Sequence, residues 1–264
     1  ELTDPVHDQS GRGRFAGAGR ARDQQDYVGL GAESRLVGDD GEGQFFGSIV
    51  IEQDSTGKLW VAYAGGGIGG NGIVRVIYST SADHRTWNTT GFTLASGVST
   101  LSEEGTAIAR FGGNKIGVAW SNTVAGELGF RFHTDGQSDT TWSAKQVIDS
   151  GLGPQGLGRA VGKQFTMKGH PDGRLFFVGT DSDGNKHLHL YIRTVAGDWG
   201  QKTLVVKNFN AMPGKPVLLL DIENSIVHVV YKDGAVTGNG LMGQTFITQT
   251  FMTDPVFNTA CLII

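Results

Sequence analysis

The chain repeats itself. Four segments, at 48–63, 106–120, 165–179 and 217–231, follow one plan: a short apolar run, a polar turn, then a second apolar run that alternates. Alternation puts every second side chain on one face of a strand, and Gly, Asn and Asp let the chain reverse, so each segment reads as a β-hairpin. The turn residues Gly57, Asn114, Gly173 and Asn224 stand 57, 59 and 51 positions apart. A second landmark keeps the same phase: Trp87, Trp142 and Trp199 are spaced by 55 and 57. Each tryptophan follows a strand-like stretch (74–79, 128–133, 188–193) and a polar turn. Each also precedes another such stretch (92–95, 145–148, 202–206).

One repeat is therefore four antiparallel strands in about 50–60 residues, the signature of a propeller blade. No window carries apolar residues at helical spacing. The expected fold is an all-β β-propeller of four-stranded antiparallel blades, at about 44–97, 104–151, 162–208 and 215–264. Four blades are evident; a fifth, or membership of a larger ring, is compatible with the same pattern. Residues 1–43 form a Gly- and Arg-rich arm, with strand-like stretches only at 27–30 and 35–37, which either completes a blade or stays irregular.

Composition narrows the function classes. Glycine is frequent, 42 of 264 residues, but has no three-residue period, so a collagen helix is excluded. A hydrophobic fraction of 38% is enough to build a core. The net charge of −4 argues against a globally basic nucleic-acid binder. Apolar runs such as 215–221 are far too short to span a bilayer. The single cysteine, Cys261, allows no internal disulfide. The start, 1–5, has neither a basic nor an apolar leader stretch.

The run 81–87, Ser-Ala-Asp-His-Arg-Thr-Trp, resembles the Asp box of sialidase-like (BNR-repeat) propellers, Ser-x-Asp-x-Gly-x-Thr-Trp. It is one residue short and lacks the glycine. The run 133–142 is a longer, looser copy, and 194–199 keeps only the tryptophan end. In such a box the aspartate closes a turn and the tryptophan packs on the blade. The resemblance implies a secreted or cell-surface, carbohydrate-active propeller, in the company of sialidases, other glycosidases, polysaccharide lyases and lectins. It also implies that Asp83 and Asp135 are structural, since the family's Asp boxes lie away from the catalytic face. A sialidase carries its first substrate arginine in a Tyr-Arg-Ile-Pro motif. The matching stretch here, 44–48, is Gln-Phe-Phe-Gly-Ser, which argues against a true sialidase.

Aligning the hairpins makes Phe46, Glu104, Gly162 and Gly214 equivalent, followed by Gly47, Gly105, Lys163 and Lys215. Innermost strands line a propeller's channel, so Glu103 or Glu104 would face Lys163 and Lys215 at its mouth, with Gln44, Phe46 and Gln164 nearby. That set suits an acidic sugar or an acid/base pair. The competing reading is a salt-bridge ring that fills the channel.

Other clusters are weaker. His187 and His189 alternate on one strand face, with Tyr191 and Arg193 behind them. They form an ordinary strand face, a metal pair without a third ligand, or a lyase-like His/Tyr/Arg set. The run 181–185, Asp-Ser-Asp-Gly-Asn, reads as a turn, because no glutamate completes a calcium loop. Arg12, Arg14, Arg20 and Arg22 could meet an acidic partner or nucleic acid, but read first as a solvated tail. No metal and no cofactor is expected. Two functions stand: a carbohydrate-recognising hydrolase or lyase with Glu104 or Glu103 as its catalytic carboxylate, and a non-catalytic module packed into a larger assembly through its terminal strands.

Overall fold

The structure, a computed structural model, describes residues 49–65, 72–98, 105–122, 124–150, 165–180, 188–206, 216–233, 245–254 and 259–262. These residues form four four-stranded antiparallel sheets, each ordered as the chain runs. The first holds β1 (Ile49–Gln53), β2 (Leu59–Gly65), β3 (Gly72–Ser79) and β4 (Trp87–Val98). The second holds β5 (Thr106–Phe111), β6 (Lys115–Asn122), β7 (Glu127–Thr134) and β8 (Gln146–Ser150). The third holds β9 (Phe165–Gly169), β10 (Leu175–Thr180), β11 (Leu188–Arg193) and β12 (Trp199–Val206). The fourth holds β13 (Val217–Asp221), β14 (Ile226–Asp233), β15 (Thr245–Asp254) and β16 (Thr259–Leu262). There is no helix among the described residues, and so none long and apolar enough to cross a membrane. This is the propeller class that the repeat predicts.

The hairpin turns fall where the repeat puts them. Ile51 pairs with Val61 across the first, Ala109 with Gly117 across the second and Leu219 with His228 across the fourth. The outer strand pair is the irregular one. The β3–β4 ladder slips between Val76 and Tyr78, where Gly91 takes a positive φ of 58° on β4. A Cβ there would sit 2.0 Å from the Val76 carbonyl oxygen, so the bend requires glycine.

Period-two alternation decides how the sheets stack. On β6, Ile116, Val118 and Trp120 face the first sheet, while Ala119 faces the third. On β10, Leu175 and Phe177 face the second sheet, while Phe176 and Val178 face the fourth. The middle sheets are thus apolar on both sides, and each gap between neighbours is filled by its own cluster. Ile49, Val217 and Leu219 are exposed on the faces of the first and fourth sheets that point away from their neighbours.

The inner strands lie side by side: β1 beside β5, β5 beside β9, and β9 beside β13. The Gly112 N–H donates to the His170 carbonyl at 3.0 Å, so β5 and β9 end together and run the same way. A Cβ on Gly169 would lie 1.9 Å from the Arg110 carbonyl oxygen, a measure of how closely these two backbones approach.

Candidate functional site

The residues that the sequence nominates for a channel mouth, Gln44, Phe46, Glu103, Glu104, Lys163, Gln164 and Lys215, lie outside the described residues. So do His187, 181–185, Arg12, Arg14, Arg20 and Arg22. What the structure describes is the stretch into which they run. Gly105, which follows Glu104, is buried. Its carbonyl accepts the Ser121 N–H at 3.3 Å, and its own N–H donates to the Ser121 hydroxyl at 3.3 Å. Thr106 is buried next to it and donates to the Ala62 carbonyl at 3.4 Å. The chain is therefore fixed to both the first and second sheets directly after Glu104.

The opposite end of the strands carries the hairpin turns and the tryptophan turns. In the first hairpin, Asp54 is 3% exposed and fully bonded. Its Oδ1 accepts from Thr56 N (2.9 Å), Thr56 Oγ1 (2.7 Å) and Lys58 N (3.0 Å), and its Oδ2 accepts from Trp60 Nε1 (2.8 Å). Burial pushes this carboxyl up, but the Trp60, Thr56 and Lys58 bonds together outweigh it and hold the group below the ordinary aspartate range. Lys58 pairs with Asp139, a residue of the second sheet's outer turn, and its ammonium stands 5.1 Å from the Tyr78 ring centre.

The turn at 81–87 closes on itself. Ser81 Oγ donates to Asp83 Oδ1 at 2.6 Å, and the same oxygen accepts the Arg85 N–H at 3.2 Å. The Thr86 N–H reaches Ser81 Oγ at 3.2 Å, and Trp87 Nε1 donates to the His84 carbonyl at 2.9 Å. The Ser81 hydroxyl, then the Arg85 amide, lowers the Asp83 pKa. This copy lacks the glycine of the pattern it resembles, and its left-handed backbone falls on His84, at φ 57°. The His84 Nδ1 meets Ser79 Oγ at 3.1 Å. Between this turn and the first hairpin lies a cleft of about 410 Å³, whose walls include Gln53, Lys58, Ser79, Thr80, Ser81 and His84.

One expectation for this end needs correction. Asp135 does not close its own turn as Asp83 does: it bonds across to Ser55 of the first sheet, because the longer turn at 133–142 reaches over the gap. Trp87, Trp142 and Trp199 are half-buried, Trp87 and Trp199 at the start of their outer strands and Trp142 in the turn before β8, and Trp142 and Trp199 pack against the apolar clusters. The fully enclosed tryptophans are Trp60 and Trp120, on the second strands of their sheets.

His189, Tyr191 and Arg193 share one face of β11, as alternation predicts, but all three are buried. Tyr191 Oη donates to Asp149 Oδ2 at 2.8 Å, and Lys202 Nζ reaches the same oxygen at 2.8 Å. The Arg193 guanidinium stands 5.6, 5.6 and 5.3 Å from the rings of Phe111, Phe130 and Phe132, and its Nε donates to Gln146 Oε1 at 3.1 Å. Burial lowers the Arg193 pKa against the pull of Asp198. Chemically the set is a clamp between the second and third sheets. Sequence reasoning missed the clamp, although Phe130 and Phe132 alternating on one strand were its visible half. Among the described residues no three His, Cys, Asp or Glu side chains are grouped to hold a metal.

No family model matches the chain, and no curated protein matches it. Solved structures do. A protein of unknown function from Dyadobacter fermentans is similar at TM-score 0.51 and 12% identity, over 76% of this chain and 51% of that one. The chain thus spans about half the length of that protein. A Penicillium chrysogenum α-L-arabinanase complexed with arabinobiose matches at TM-score 0.48 and 15% identity, over 83% and 67%. A Trypanosoma rangeli sialidase in complex with the inhibitor DANA matches at TM-score 0.46 and 12% identity, over 82% and 37%. Identities this low speak to fold alone.

Proposed function

We propose that this propeller recognises carbohydrate at the end where its inner strands begin, with Glu104 or Glu103 as the carboxylate and Lys163 and Lys215 as cationic partners. The observation that carries this reading is the 81–87 turn, which closes on itself through Ser81, Asp83, Thr86 and Trp87 and so supports the resemblance stated for its sequence. Gly105 supports it by fixing the backbone next to Glu104 to two sheets. Gln44, Phe46 and Gln164 complete the proposed mouth. An acidic glycan suits the two lysines, and secretion or surface display suits the glycan. Lysines beside a carboxylate favour its ionised form, which makes it a better binding group than general acid.

The second reading is a non-catalytic module that joins a larger assembly through its terminal strands. The missing arginine at 44–48 favours it over a sialidase. A glycan array read together with a reducing-sugar assay separates the two. The expected result is binding of at least one glycan by the wild-type chain, weakened by Glu104→Gln while the β-sheet circular dichroism stays unchanged. Released reducing ends would make the protein an enzyme, a lyase if the new non-reducing ends are unsaturated and a hydrolase if they are not, and failure to bind any glycan would leave the module.

A further inference from the structure

The left-handed residue of the first outer turn is a histidine. That backbone region penalises side chains other than glycine, although Asn, Asp and His enter it more readily than most. Strain held at one position by the surrounding turn is a reason to ask what the side chain does there. The imidazole of His84 lines the 410 Å³ cleft between the first hairpin and the 81–87 turn. Its Nδ1 is engaged by Ser79 Oγ, whose oxygen also accepts the Leu59 N–H at 2.9 Å. With Nδ1 held by Ser79, the second ring nitrogen, Nε2, is the one that can meet a ligand, as donor or acceptor according to the tautomer.

The rest of the lining completes a pattern. Lys58 gives one N–H to Asp139 and has two more. Gln53 spends its Nε2 on the Gly57 carbonyl at 2.9 Å, which leaves Oε1 as an acceptor. Thr80 and Ser81 contribute hydroxyl oxygens with spare lone pairs. The one lysine of the lining is already neutralised by Asp139, and Asp83 stands 3.6 Å from Arg85, while Asp54 adds negative charge nearby. An anion would meet that charge unpaired, whereas a neutral molecule with alternating donors and acceptors would not. The volume lies within the range of small-molecule sites, about 300–1,000 Å³.

From this we infer that the cleft is a binding site for a neutral polyhydroxylated ligand, the size of one or two sugar rings, with the His84 imidazole as its central hydrogen-bonding group. The site lies at the opposite end of the strands from the proposed mouth and does not depend on it.

The test is NMR titration of the full chain with the methyl glycosides of glucose, galactose and xylose, with methyl glucuronide as the charged counterpart. At least one neutral glycoside should shift the amides of 81–85. His84→Gly should weaken that response about tenfold, the worth of one hydrogen bond. It should also leave the melting temperature unchanged or raised, because glycine suits the left-handed backbone. His84→Asn, which tolerates the same backbone, should weaken binding equally and so exclude added chain flexibility as the cause. The inference is overturned if no neutral glycoside moves these amides, if the glucuronide binds more tightly than methyl glucoside, or if His84→Gly binds as the wild type does. Binding at the mouth would instead move the amides of Gly105 and Thr106, so the two readings fail separately.

Discussion

Asp135 of the second sheet accepts two hydrogen bonds from Ser55 of the first, one from the backbone N–H at 2.9 Å and one from the hydroxyl, across 80 positions of sequence. Together with the Lys58–Asp139 ion pair it ties the outer turn of one sheet to the first hairpin of the next. Asp135→Ala should lower stability by about 1 kcal/mol, the usual net worth of such bonds at a partly exposed site. Ser55→Ala should cost part of this, and the double variant less than the sum, because both act on one contact. Urea titrations of the three variants measure it; strict additivity would mean that the contact carries no coupling.

Asp54 makes stability depend on acid. Its folded pKa lies below the ordinary value, so its contribution is full above the unfolded pKa, near about 4, and is lost as pH falls through the folded one. Thermal melts between pH 6 and pH 2, followed by tryptophan fluorescence, should show a falling midpoint in the lower part of that range, on the order of the carboxylate window. Asp54→Asn should flatten that slope while lowering stability at neutral pH. An unchanged slope would show that other carboxylates set the acid limit.

Arg193 is 6% exposed, within reach of three phenylalanine rings and Gln146. Lysine keeps the charge but loses the planar group that can stack and bond at once. Arg193→Lys should therefore cost about 1–2 kcal/mol, read as a lower urea midpoint at constant slope. A neutral outcome would mean that the charge, not the guanidinium shape, is what Arg193 contributes to this gap.

Gly169→Ala meets backbone rather than a movable side chain, since the new carbon would fall 1.9 Å from the Arg110 carbonyl oxygen. Forcing β9 away from β5 should cost about 3 kcal/mol, at the upper end of overpacking penalties. Gly113→Ala is the control for position: nothing lies within 4 Å of its added carbon, and its cost comes from a φ of 79° alone. Comparable losses for the two would remove close strand approach as the cause.

Strands and sheets were legible because the apolar alternation is local and because Gly57, Asn114, Gly173 and Asn224 mark reversals in phase. The buried role of His189, Tyr191 and Arg193 was not legible. Alternation places them on one face, but nothing in a single strand says that Asp149, Gln146 and three phenylalanines of another sheet will cover it. The departure of Asp135 from the pattern of Asp83 has the same origin, a partner eighty positions away. The cleft beside His84 escaped notice because the sequence shows a missing glycine, not the left-handed backbone that replaces it.

The three apolar clusters have a consequence for how the protein comes apart. Each draws its residues from two neighbouring sheets, and none from a single sheet. The unit of stability is thus the gap rather than the blade. Among the clusters of the described residues, a protease cut that releases the fourth sheet dissolves one, while loss of the second or third would dissolve two at once. Trimming should therefore proceed inward from either end and stall at fragments that still hold a pair of sheets, because a lone sheet would keep its strand ladders and have nothing to close them against.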